Sequence, residues 1–201
     1  PEDVGEAMSL AANLLVLHDP GRVKENSAPG KPPGCVHGDS VGVHASDASN
    51  AWRNIARVGN PRNRVASLIV GAYHTAGQMD RVTKDPYPYA ALLDEIDATA
   101  PDALIRQADK AIRSNDQARA CAVVHRYGEL DLPARPIFDL LVKYAVSEDG
   151  ALHAEKFYRT VSEEFAATRP AFRWRQLVAL ARVTVSEHGF PAPGYQESCE
   201  L

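Results

Sequence analysis

The sequence predicts an all-α fold, with about nine helices packed as antiparallel hairpins in one globular bundle. Three observations carry this expectation. Apolar residues recur at three- and four-residue spacings along most of the chain. Proline and glycine fall between those runs rather than within them, where they stop and start helices. The β-branched stretches at 68–70 and 182–185 continue helical patterns longer than a strand needs.

The elements follow in order. Over residues 2–18, Val4, Ala7, Met8, Ala11, Leu14, Leu15 and Leu17 share helical spacing, and Glu2 and Asp3 sit where the helix dipole favours anions. Pro20 and Gly21 end this helix. Residues 21–42 hold five glycines and three prolines, so they read as one long Gly/Pro-rich loop. A loop of that length is either disordered or functional. Helices are expected at 43–58, closed by Gly59, Asn60 and Pro61, and at 62–79. The residues around 85–88 form an intradomain loop, since either side alone would bury too little surface. Residues 89–98 read as a helix, Pro101 opens the next at 102–113, and Asp116 is positioned to cap 117–127, with Gly128 as its terminator. Helices at 136–146, 151–168 and 170–188 complete the chain, the last stopped by Gly189 and Pro191.

At 201 residues, with 45% hydrophobic and 24% charged residues, the chain reads as a single helical domain over 1–201, large enough to fold without disulfides or a structural metal. The start at Pro1 rather than Met is the pattern of a processed product or a fragment. A net charge of −4, from 22 basic against 26 acidic residues, gives no basic field to attract nucleic acid or an anionic membrane. Cys35, Cys121 and Cys199 form no CxxC pair and leave one thiol over in any pairing, which points to a reducing, cytoplasmic setting. No apolar run is long enough for a membrane span, and residues 10–17 lack the flanks of a signal peptide.

Common catalytic signatures are missing. There is no GxxxxGK[ST] loop, no GxGxxG and no GxSxG elbow. His18–Asp19 has the form of a metal-binding His-Asp pair but runs at once into Pro20. The seven histidines are the remaining chemical signal. His44 opens a helix, His74 lies mid-helix, and His153 sits in a first turn. Imidazoles on three separate helices can converge on one ion, so His44, His74 and His153 are the expected metal ligands. His37, in the loop, is the expected acid/base group. Cys121 and His125 share a helix face at i, i+4, and His18 and His188 read as C-terminal caps. No paired Glu-x-x-His signature of a di-iron bundle is present, and Glu148 and Glu155 lie off the face of His153. Trp52, Tyr73, Phe157 and Tyr158 are placed to line a pocket or, with better odds, to pack the core. Arg169, Arg173, Arg175 and Arg182 read as a solvated basic face.

Residues 44–51 (HASDASNA), together with the later Gly150-Ala151-Leu152-His153, resemble recurrent positions in all-helical bacterial domains related to questin oxidase-like proteins and to helical proteins joined to Rieske-type iron–sulfur modules. The resemblance spans about residues 40–190. It implies an oxidative role with His44, Asn50 and His153 facing a shared pocket, and Asn50 enters as a catalytic candidate on that ground. The chain has no Cys/His pairs of its own for a Rieske cluster.

The expected function is therefore a metal-dependent oxidoreductase, with iron as the metal and a small-molecule substrate. The alternatives are a non-catalytic helical interaction module and a helical pocket for an organic ligand. The sequence leaves the oligomeric state open.

Overall fold

A computed structural model describes residues 1–29, 31–36, 40–150 and 153–201. Eight long α-helices make up the bundle: α1 (Glu2–His18), α2 (Val41–Val58), α3 (Pro61–Ala76), α4 (Pro101–Arg113), α5 (Gln117–Glu129), α6 (Arg135–Ser147), α7 (His153–Ala167) and α8 (Pro170–Glu187). A short α9 (Tyr195–Cys199) follows. No strand occurs among the described residues, and no helix there is long and apolar enough to cross a membrane.

Helix α8 is the hub. It packs on α5, α7 and α1, with lesser contacts to α4 and α6, and every residue from Gln176 to Glu187 is buried. Leu104, Ile112, Tyr127, Ile137, Leu141, Phe157 and Leu177 form the main core around it. A second layer consists of α1, α2 and α3, with α3 on its outer side against α2 and α1.

Several boundaries differ from expectation for physical reasons. Gly42 lies inside α2, not in the loop. A Cβ there would stand 2.3 Å from the backbone nitrogen of Val16, so glycine is what lets α1 and α2 approach at that crossing. Gly128 likewise lies within α5 instead of ending it, because a Cβ would stand 2.6 Å from the Trp174 indole. The helix expected at 89–98 is a six-residue 3-10 turn, Ala90–Glu95. Helix α3 ends at Ala76, before the expected 79, and a 3-10 turn Met79–Arg81 follows.

The basic face on α8 also needs correction. Arg182 is 1% exposed. It donates from Nη1 to Val16 O at 2.5 Å and from Nε to Gln117 Oε1 at 3.1 Å, and its guanidinium lies 4.0 Å from the centre of the Tyr87 ring. A buried guanidinium thus closes the carbonyl end of α1 and pins the 85–88 loop. The described parts of the 21–42 loop are also anchored. The Asp19 carboxylate accepts from Gly21 N, Ser40 Oγ and Gly42 N, and Val36 N donates to Ser186 Oγ.

Candidate functional site

Two of the three expected ligands meet. The His44 and His153 rings lie 5.2 Å apart, centre to centre, at 85° to one another. They come from the first turns of α2 and α7, which run alongside each other. Two imidazoles on one tetrahedral ion, with nitrogen distances of about 2.0–2.1 Å, hold their ring centres roughly 5 Å apart. Edge-to-face contact between the rings has the same spacing with no ion between them. His74 does not join the pair. It sits on α3, and its Nδ1 is buried without a hydrogen-bond partner among the described residues. Among the described residues, no three His, Cys, Asp or Glu side chains gather closely enough to hold an ion. His37, the expected acid/base group, lies outside the described residues.

Below the histidine pair, α2 and α7 are joined by a polar seam. Thr160 Oγ1 donates to Asp47 Oδ1 at 2.7 Å, and the Lys156 ammonium stands 3.1 Å from Asp47 Oδ2. Asn50 is buried, and its amide donates to Glu163 Oε2 at 3.2 Å and Glu164 Oε1 at 2.9 Å. Its Oδ1 accepts from Asn54, so the side chain proposed as catalytic is taken up in holding two helices together. Arg53 pairs with Glu164, both fully buried. The hydrogen bonds from Asn54, Arg159 and Asn50 to the Glu163 carboxylate outweigh its partial burial and hold it below its ordinary value.

The remaining histidines serve other ends. His18 bonds Thr83 O through Nδ1, and His188 bonds Glu148. Cys121 is fully buried against Val178 O, and burial pushes its thiol up to about 12. That removes it as a nucleophile at neutral pH. His125, one turn further along, faces a cleft instead.

This cleft, of about 750 Å³, lies between α1, α5 and the first half of α8. Leu10, Leu14 and Leu17 form one wall, and Phe172 and Trp174 form another. Tyr89 and His125 line it together, with the hydroxyl 3.1 Å from Nδ1. Nε2 of His125 stands 3.6 Å from Glu129 Oε1, beyond hydrogen-bond distance, and the Glu129 carboxylate pairs with Arg126 at 3.0 Å. Burial is the main cause that raises the Tyr89 phenol above its ordinary value, so it stays a donor at neutral pH. Arg175, stacked on Phe172, brings a cation to the lining.

Asn13 lines the cleft while being 1% exposed, and its Nδ2 is buried with no hydrogen-bond partner. A buried amide donor left unpaired costs about 1–3 kcal/mol; with no surface open to the cleft, this nitrogen is a cost of packing and not a group that a ligand in the cleft reaches. Of the aromatic residues for which core packing was the stronger expectation, three pack as expected and Tyr73 is exposed. Phe157 is core, Trp52 packs with Met8, Ala56 and Leu68, and the Tyr158 hydroxyl donates to Phe138 O. Asn13, Tyr89, Phe172 and Trp174 were not singled out from sequence. One signal was Ser9 and Asn13 at i, i+4 within the otherwise apolar run 7–17 of α1. A scan of protein-family models and searches of curated proteins and of solved structures returned no match for this chain.

Proposed function

We propose that this chain binds a small aromatic molecule in the cleft between α1, α5 and α8. The aromatic-walled cavity edged by Tyr89, His125 and Arg175 carries this reading. A large, mostly apolar cavity with a few convergent polar groups is the usual form of a small-molecule site. The guanidinium of Arg175 favours a ligand with a carboxylate or keto oxygen. Trp174 and Phe172 favour a flat ring system. The hydrogen-bonded Tyr89–His125 pair supplies a polar edge able to exchange a proton with such a ligand. Cys35 and Cys121, both buried, fit a reducing, cytoplasmic setting. The test is calorimetric titration with naphthoate. One-site saturable binding is expected, weakened roughly tenfold or more in Leu14→Asp and in Arg175→Ala. Failure of naphthoate and of neutral naphthol to saturate any site would overturn the reading.

The His44–His153 pair favours a second reading, the metal-dependent oxidoreductase of the iron type. Their spacing suits two imidazole ligands, and a bound iron would supply electron transfer to a small-molecule substrate. Cobalt(II) titration of the whole chain tests it: the visible d–d bands of a nitrogen-ligated ion are expected, and they should be lost in both His44→Ala and His153→Ala. Their persistence in both variants sinks it.

A further inference from the structure

From Val65 onward, beyond the exposed Arg62 of its first turn, the outer face of α3 carries none of the charge that a solvated helix needs. Between Arg64 and Asp80 the only ionisable side chains are Tyr73 and His74. Val65, Ile69 and Tyr73 follow one another at i, i+4 and i+8, at 54, 64 and 82% exposure, with Val70 at 44% beside them. Val58, at the end of α2, extends the strip at 88%. Inward, α3 buries only Ser67, Leu68, Gly71 and Thr75. Helix α4 shows how this same chain treats a water-facing surface: it alternates Asp102, Arg106, Lys110 and Arg113 along its length. A surface helix ordinarily opposes its apolar stripe with a polar one; α3 does not.

We propose that α3 is the contact face of a two-fold homodimer, packed against α3 of a second copy. The large apolar side chains of the strip and the exposed alanines 66, 72 and 76 together offer about 700 Å² of surface, close to the roughly 800 Å² per partner of a standard stable interface. A contiguous exposed patch of this size is at the upper end of what monomers leave bare. A second copy suits it because the strip from Val65 to Ala76 is uncharged: an antiparallel two-fold operation sets the Arg62 end of each copy against the uncharged end of the other, with no like charges opposed. In the antiparallel arrangement the helix dipoles also oppose favourably. Small residues at 66, 72 and 76 permit the close approach that ridge-into-groove packing requires.

Sedimentation equilibrium of the whole chain at micromolar concentration tests the proposal. The wild type is expected at about twice its chain mass of 21.8 kDa. Ile69→Asp and Tyr73→Asp, both at exposed positions, are expected at the single-chain mass with an unchanged circular dichroism spectrum. In a Cys199→Ser background, Ile69→Cys is expected to form a disulfide-linked dimer on oxidation, because a residue near the two-fold axis meets its own copy. A monomeric wild type, or a dimer that survives Ile69→Asp and fails to cross-link through residue 69, overturns the proposal.

Discussion

The carboxylate of Glu6, on the first helix, accepts both the backbone N–H and the Nε–H of Arg169, each at 2.7 Å. It thus supplies from across the chain the N-terminal cap that α8 lacks locally. The backbone N–H of Arg169 is the largest influence on this carboxyl, and with the guanidinium it holds the group below its ordinary value despite burial. A carboxyl lowered by folding contributes stability that is present above its unfolded value and lost as the pH falls through the folded one. Glu6→Gln should therefore melt below wild type at pH 7, with the gap closing as the pH drops below about 4. Thermal melts across that range measure it; a gap independent of pH would refute the assignment.

Glu187 behaves in the opposite sense. It closes α8 at 2% exposure with Oε1 unpartnered. Burial first, then repulsion from Glu155 and Glu148, raises its carboxyl well above the ordinary value. A carboxyl raised by folding leaves stability intact below its unfolded value and erodes it as the pH rises toward the folded one. Glu187→Gln removes that erosion. The variant should melt above wild type at pH 8 and coincide with it near pH 4, as paired melts at the two pH values would establish.

Arg53 and Glu164 form the buried ion pair of the α2/α7 seam, at 3 and 1% side-chain exposure. Removing one partner strands the other charge. Arg53→Met should cost about 3–5 kcal/mol in urea unfolding. Arg53→Met combined with Glu164→Met should cost less than the sum of the two single changes, since neither charge is then left alone. Additive costs would mean that the pair is not coupled.

Helix existence was legible because apolar spacing and Pro/Gly punctuation are local. The errors arose where a residue type served a distant contact. Gly42 and Gly128 read as breakers, yet both make room for a neighbour, Val16 backbone and the Trp174 ring respectively. Arg182 read as solvated, and nothing local announces that it closes the end of α1. The meeting of His44 with His153 was within reach of the expectation that imidazoles on separate helices converge. The placement of His74 was not, because which face of α2 meets α3 and which meets α7 is a tertiary choice. The cleft was invisible for the same reason: Asn13, Tyr89, His125 and Trp174 come from four segments with no shared motif.

Gly128 connects packing to the proposed ligand site. Its missing side chain admits the Trp174 indole, which packs against Tyr127 and Phe165 at ring distances of 5.8 and 5.7 Å. Both Gly128 and Trp174 line the cleft. In Gly128→Ala the new Cβ would stand 2.6 Å from the indole, closer than any packed contact, so the ring must turn toward the cavity. Such overpacking typically costs about 1–3 kcal/mol. A displaced indole also narrows the aromatic wall, so naphthoate should bind roughly tenfold more weakly, with a shifted tryptophan emission. Trp174→Phe, a smaller ring in the same background, should recover most of the lost stability but not the aromatic contact area. Recovery of stability in the double variant, with naphthoate affinity still reduced, would separate the packing role of this contact from its part in ligand binding.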